Sequence, residues 1–274
     1  MFEKILENVT KKAPLVHSIT NYVTVNDCAN TILACGASPI MADDENEVEE
    51  ITSICNSLVI NIGTLNKRTI NSMLKAGKKA NELNHPVILD PVGAGASALR
   101  TETALNLLKN VKFAVIRGNI SEIKAIYKGS NTTKGVDADA SDAITEKTLK
   151  DAILYAKDFS KKINSIIAIT GAIDIIADAN KAYAIRNGNA LMSKITGTGC
   201  MLTAMIGAFC GANTSNMLDA TAAAVSIMGL SGELAFEKLQ KTDGGISTYR
   251  TFLIDYIYKM NIDILNGGIK IESM

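Results

Sequence analysis

The chain has 274 residues, 47% hydrophobic and 20% charged, enough apolar material for the core of one α/β domain spanning 1–274. Its 28 basic residues equal its 28 acidic ones, so a broad surface for nucleic acid or for anionic membrane is not expected. Five cysteines without a CxxC pair, the absence of Trp, and the lack of any run of about 18 apolar residues argue against a zinc site, a disulfide framework, a stacking platform and a membrane span.

The stretch MFEKILENVTKKAP lacks the continuous apolar core of a secretory leader, and reduced thiols in a cytoplasm are the expectation. Strand-like runs at 15–20, 57–62, 86–90, 113–117 and 165–170 then alternate with helical spacing at 25–35, 45–55, 67–83, 97–108 and 120–127. VILD, FAVIRGN and SIIAITG are apolar throughout, as strands covered on both faces are. Segment 129–145 is the most linker-like and is expected to be a surface loop within the one domain. Residues 174–185 (DIIADANKAYAI) read as a hairpin added after the parallel strands, and 198–209, 217–239 and 248–260 as successive helices. The alternation predicts a mostly parallel sheet flanked by helices. A ligand in such a sheet sits beyond the carboxyl ends of the strands.

Several predicted strands end in a polar or glycine signal. ILDPVGAGAS (88–97) ends in Asp90-Pro91 and bends through Gly93 and Gly95; AVIRGNISE (114–122) ends in Arg117, Gly118 and Asn119, with Glu122 one helical turn on; AITG (168–171) ends in Thr170-Gly171. All open onto one sheet edge. There Asp90 and Glu122 can hold magnesium, directly or through water. Arg117 and Thr170 can contact phosphate oxygens. The turn at 196–200, with Gly197 and Gly199, adds backbone N–H groups and the positive end of a helix.

Each piece has a plainer reading. Asp90 can cap a turn before Pro91, Glu122 can be the capping-box partner of Asn119, and Arg117 can neutralise a neighbouring carboxylate. GAGAS is a common strand-to-helix turn and is not a Walker-type phosphate loop. Cys200 opens a helix, where the thiol pKa is expected to fall, although a small apolar packing role stays open. Cys28, Cys35 and Cys210 read as core. In HSITNYVTVNDCAN (17–30) and CGASPIMA (35–42), Asn21, Asn26 and Met41 can line an uncharged ring pocket, with Met41 in a short apolar strand. The two asparagines can also cap local backbone. Neither His17 nor His85 has a Ser or Cys partner in view, so a histidine triad is not expected.

Taken in order, HSITNYVTVNDCAN, GASPIMA, DPVGAGAS, RGNISEI, AITG and ITGTGCMLTA resemble the hydroxyethylthiazole kinases, thiazole-salvage enzymes of thiamine metabolism in the ribokinase-like superfamily. The likeness runs from about residue 14 to the last helix. It implies a three-layer α/β/α fold and a homotrimer with sites at subunit interfaces. It implies transfer of the ATP γ-phosphate to the alcohol of 4-methyl-5-(2-hydroxyethyl)thiazole, with Mg2+. By motif, Met41 and Gly197 resemble thiazole contacts, Arg117 and Thr170 ATP contacts, and Asp90 and Glu122 the magnesium-organising acids. Asn26 resembles an asparagine near the phosphates. Cys200 stands where the wider superfamily places an aspartate base. One departure is Gly244-Gly245-Ile246, where a glycine-proline-glycine run is expected on the adenine side.

Three other readings stay open. A hydroxymethylpyrimidine kinase is disfavoured by the missing carboxylate at Cys200 and by NYVTVN. A nicotinamide-dependent oxidoreductase using GAGAS lacks the usual glycine fingerprint after an early strand. A sensor that binds nucleotide or thiazole without turnover is separated only by assay.

Overall fold

The computed structural model describes residues 2–129 and 144–274, so the loop expected at 129–145 falls, but for its ends, outside the described residues. Six strands run parallel: β1 (Leu15–Ile19), β2 (Ser38–Ile40), β3 (Ser57–Asn61), β4 (Val87–Asp90), β5 (Val115–Asn119) and β6 (Ile166–Thr170). The hairpin β7 (Asp174–Ala177) and β8 (Ala182–Ile185) follows antiparallel, and β9 (Ile271–Ser273) closes the far edge. Among the described residues the sheet has nine strands in the order β2-β1-β3-β4-β5-β6-β7-β8-β9.

Side chains alternate along each strand, so both faces of the sheet need cover. On β3, Val59 packs into one apolar cluster and Leu58 and Ile60 into the other. The first cluster is closed by α1 (Glu3–Lys12), α2 (Val25–Ala34), α8 (Thr198–Ala212), α9 (Met217–Leu239), α10 (Ile246–Lys259) and α11 (Ile262–Gly268). The second is closed by α3 (Val48–Ile54), α4 (Lys67–Glu82), α5 (Ala98–Asn110), α6 (Ile120–Gly129) and α7 (Leu149–Ile163). This is a three-layer α/β/α arrangement. Helix α8 is apolar on nearly every side because it is covered on every side: it packs on β1, β3 and β4 and against α1, α2 and α9.

Several boundaries differ from the expected ones. Strand β5 starts two residues later and ends two later than the run 113–117, because Gly118 and Asn119 pair with Ile169 and Thr170. Helix α3 starts at Val48 rather than 45, because Asp44 closes a turn: its carbonyl accepts the Glu47 and Val48 N–H groups and its side chain the Asn46 N–H. Met41 lies one residue beyond β2 rather than in it. Helices α1, α7 and α11 and strand β9 were not anticipated.

Candidate active site

All parallel strands deliver their carboxyl ends to one edge, and the predicted polar signals meet there. Asp90 ends β4 and is fully buried. Its Oδ2 accepts from Asn61 Nδ2 at 2.9 Å and from Thr203 Oγ1 at 2.7 Å, and Arg117 Nη1 stands 3.6 Å away. Its Oδ1 is buried with no hydrogen-bond partner. Burial pushes the Asp90 carboxyl up to about 6, against the opposing pull of Arg117, with the charge of Glu122 adding to the rise.

Arg117 is held on its other side by Thr170, whose Oγ1 accepts from Nη2 at 2.5 Å. Its guanidinium lies flat against the backbone of Gly199: a Cβ built there would sit 2.4 Å from Nη1 and 2.7 Å from Nη2. Arg117, Thr170 and Gly199 line one cleft of about 650 Å³ between the β6–β7 turn, the 187–193 loop and α9. Its lining includes buried apolar side chains, among them Leu202, Val225 and Met228. That size and mixed lining suit a bound small molecule.

Beside it the first turn of α8 carries Cys200. Gly197, the N-cap, has φ +90°, and a Cβ on it would meet Thr24 Cγ2 at 2.3 Å, so the turn closes directly on the loop before α2. Asn21 in that loop donates to Cys200 Sγ at 3.3 Å and to Asn61 Oδ1 at 3.0 Å. The expected fall in the Cys200 pKa is not met. Burial, then the charge of Asp90, raises it, and the hydrogen bonds from Thr24, Asn61 and Asn21 only oppose that rise. The thiol stays protonated at neutral pH.

Glu122 fulfils its capping reading and does more. Its Oε2 accepts the Asn119 N–H at 2.9 Å, while Asn119 Oδ1 accepts the Glu122 N–H at 2.9 Å, a reciprocal box at the start of α6. Its Oε1 accepts the Gly93 N–H at 2.8 Å, which ties the turn after β4 to α6. Arg100 ties the same turn to β3, donating to Val92 O at 3.1 Å and Gly63 O at 2.7 Å. Among the described residues no three His, Cys, Asp or Glu converge on a point. Asp90, with its unpartnered oxygen, and Glu122 are thus a two-carboxylate set. That suits Mg2+, which takes one or two carboxylates and fills its shell with water and phosphate oxygens.

Two predicted residues are not brought to this cluster. Asn26 is exposed on the first turn of α2 and its Oδ1 accepts from Asn30 at 3.0 Å. Met41 is half-buried against the cluster that α8 also joins. His17 is a satisfied core residue, between Thr52 Oγ1 and the Ala42 carbonyl at 2.9 Å each, with burial lowering its pKa. The segment 244–246 leads into α10 with extended backbone at Gly245 and does not line the cleft.

Asn61, Thr203 and Asp174 were passed over. Asn61 carried the same strand-end signal as Asp90 and Thr170, a polar residue closing the apolar run SLVIN and followed two residues on by Gly63. Thr203 sits four residues after Gly199, on the same face of α8, its hydroxyl also 3.2 Å from the Gly199 carbonyl. Asp174 lines the cleft, accepts the Gly171 N–H at 2.9 Å, and is pushed by burial up to about 7 against the pull of that bond and of Arg117.

Comparison with known proteins agrees with this layout. The family model for the hydroxyethylthiazole kinase family matches residues 6–263. A protein of Clostridium acetobutylicum named hydroxyethylthiazole kinase is 62% identical over 273 residues, covering 100% of both chains. The solved structure of a hydroxyethylthiazole kinase protein from Pyrococcus horikoshii OT3 superposes with a TM-score of 0.88 at 36% identity, covering 100% of this chain and 98% of that one. A ribokinase-like superfamily protein from Enterococcus faecalis V583, at 14% identity, shares the fold with a TM-score of 0.58 over 94% of this chain and 95% of its own.

Proposed function

The chain belongs to the hydroxyethylthiazole kinase family, and from that premise we propose that it transfers the γ-phosphate of ATP to the hydroxyl of 4-methyl-5-(2-hydroxyethyl)thiazole, in thiamine salvage. The fold is ribokinase-like. The observation that carries the reading is the continuity of the site: Arg117 touches both Thr170 in the cleft and Asp90 at its inner end, and Cys200 adjoins that end.

In this reading the triphosphate enters the cleft with its anionic oxygens against Arg117, Thr170 and the Gly199 backbone. The thiazole binds on the Asn21 and Gly197 side, with its hydroxyl toward Cys200. The hydroxyl oxygen attacks the γ-phosphorus, the bond to the bridging oxygen breaks, ADP leaves, and the hydroxyl proton passes to an oxygen of the transferred phosphoryl group and on to solvent. Asp90 and Glu122 would hold Mg2+, which when bound neutralises charge on the phosphates. In-line transfer with a loose transition state depends on positioning and electrostatics and needs no strong base. A protonated Cys200 thiol suits that: it orients the hydroxyl and does not take its proton. Asn26 keeps the role the resemblance implies only if the phosphates or a second subunit reach the outer face of α2.

That face carries exposed Asn26 and Asn30, and also Leu33 at 55% and Tyr258 at 74% exposed where α2 and α10 lie side by side. A homotrimer joined there accounts for it; a sedimentation mass near one 29.1 kDa chain would contradict it. Among the described residues no helix is long and apolar enough to cross a membrane, and the five cysteines are unpaired, which suits a cytoplasmic location.

The deciding assay is ADP release from magnesium-ATP with hydroxyethylthiazole, with hydroxymethylpyrimidine, and with no acceptor. Release with the thiazole alone is expected. Release with the pyrimidine alone moves the substrate, and thiazole binding without release favours a sensor. Cys200→Asp is expected to keep or raise turnover, because the α8 N-terminus, Asn21 and Thr24 supply donors for a carboxylate there. Complete loss with substrate binding intact would count against the positioning role.

A further inference from the structure

Asn61 closes β3 and pairs in register with Asp90, yet it carries none of the roles above. Its amide orientation is unambiguous. The Gly63 N–H can only donate, and it donates to Asn61 Oδ1 at 2.9 Å, so Nδ2 faces Asp90 Oδ2. Asn21 is fixed the same way: the Thr24 N–H donates to its Oδ1 at 3.1 Å, so its Nδ2 faces Asn61 and Cys200. The Thr24 hydroxyl donates to Asn21 Oδ1 at 3.1 Å and accepts from Cys28 Sγ at 3.7 Å.

Every donor in this chain therefore points the same way, from Cys28 through Thr24, Asn21 and Asn61 to a single oxygen of Asp90. Aligned hydrogen bonds in a low dielectric polarise one another. Asn61 is 1% exposed and Asn21 4%, so bulk water does not compete for these bonds. Thr203 donates to the same Asp90 oxygen. The two donors crowd Oδ2 and leave Oδ1 buried and bare. A bare buried carboxylate oxygen costs free energy, and it sits where the kinase reading needs a carboxylate.

We propose that Asn61 is a positioning residue for phosphoryl transfer: with Thr203 it clamps Asp90 by Oδ2, leaves Oδ1 as the working oxygen, and through Asn21 holds that carboxylate in fixed relation to Cys200. This rests on the kinase reading above.

Asn61→Asp is the sharpest variant. It keeps an oxygen for the Gly63 and Asn21 N–H groups and replaces the donor facing Asp90 with a second carboxylate oxygen. Thr203→Val removes the other donor at nearly constant volume, and it carries the test if Asn61→Asp fails to fold. In Asn61→Asp, kcat is expected to fall about 10- to 100-fold, the range for losing a group that orients a reactive one, with both KM values within about threefold. Thr203→Ser, which keeps the hydroxyl donor to Asp90 Oδ2, is expected to hold kcat within about threefold of the wild type, while Thr203→Val loses about 10-fold.

Urea unfolding at one pH separates a folding defect from a positioning one: Thr203→Val should lose turnover out of proportion to any loss of stability, while Thr203→Ser keeps both. A kcat retained in both Asn61→Asp and Thr203→Val, or equal losses in Thr203→Ser and Thr203→Val, overturns the proposal and leaves Asn61 a structural residue. If the wild type releases no acceptor-dependent ADP, the kinase reading fails and takes the transfer role with it.

Discussion

Asp90→Asn is expected to lower kcat by on the order of 10³-fold and at the same time to raise stability at neutral pH. The carboxyl is fully buried and its pKa is pushed up from 3.8 to about 6, with desolvation the largest cause. A raised folded value means the native state holds the proton more tightly than the unfolded chain does. Stability is therefore full below about pH 4 and is lost as pH climbs through about 6. An offset of about two pH units corresponds to on the order of 3 kcal/mol. The variant gives some of this back, because Arg117 loses its anionic partner at 3.6 Å. Thermal unfolding at pH 4 and pH 8 checks the sign: the gain should appear at pH 8 and shrink at pH 4. A variant less stable at pH 8 would mean that the Arg117 pair outweighs the burial cost. Enzymes commonly keep such costly groups where they act.

Gly199→Ala should lower kcat/KM for ATP by about 100-fold with little change in melting temperature. The added methyl overlaps the guanidinium of Arg117, the far end of a flexible side chain. The backbone need not strain, because Gly199 is in a helix with no positive φ. Arg117 swings out, the bond to Thr170 breaks, and the phosphate contacts lose their cation. The KM for the thiazole should hardly move. Gly197→Ala is the contrast, two residues earlier: its methyl meets Thr24 at 2.3 Å and its φ is +90°, so stability should fall along with activity. Melting curves beside ATP and thiazole saturation kinetics separate the two. An unchanged ATP KM in Gly199→Ala would show that the guanidinium has another way to sit.

The parallel strands were legible because they are buried on both faces and carry unbroken apolar runs, as VILD and SIIAITG do. The strand-end signals at Asp90, Arg117 and Thr170 were legible because a polar residue that closes such a run has little reason to be there for packing. Helix α7 was not, because it directly follows the most linker-like stretch of the chain, and α1 and α11 are short amphipathic pieces near the ends. The boundary of β5 depended on the partner strand, since Gly118 and Asn119 are extended only by pairing with β6. Cys200 misled for a physical reason. A helix N-terminus lowers a thiol pKa, but here the site is buried and already holds the Asp90 charge, and those effects dominate. Asn61 and Thr203 were missed because single polar residues in apolar elements acquire meaning only from the neighbour they face, and Asp90 is 29 and 113 residues away from them.

Helix α8 holds its 201–210 stretch wholly inside the protein, and the active-site turn is the first turn of that helix. Amides there open to solvent only when the layers on both sides come apart, so their hydrogen exchange should report global unfolding rather than local fraying. The reacting end of the site is thereby anchored to the slowest-exchanging part of the molecule. Whatever adjusts when substrates arrive belongs to the other walls, the β6–β7 turn and the 187–193 loop.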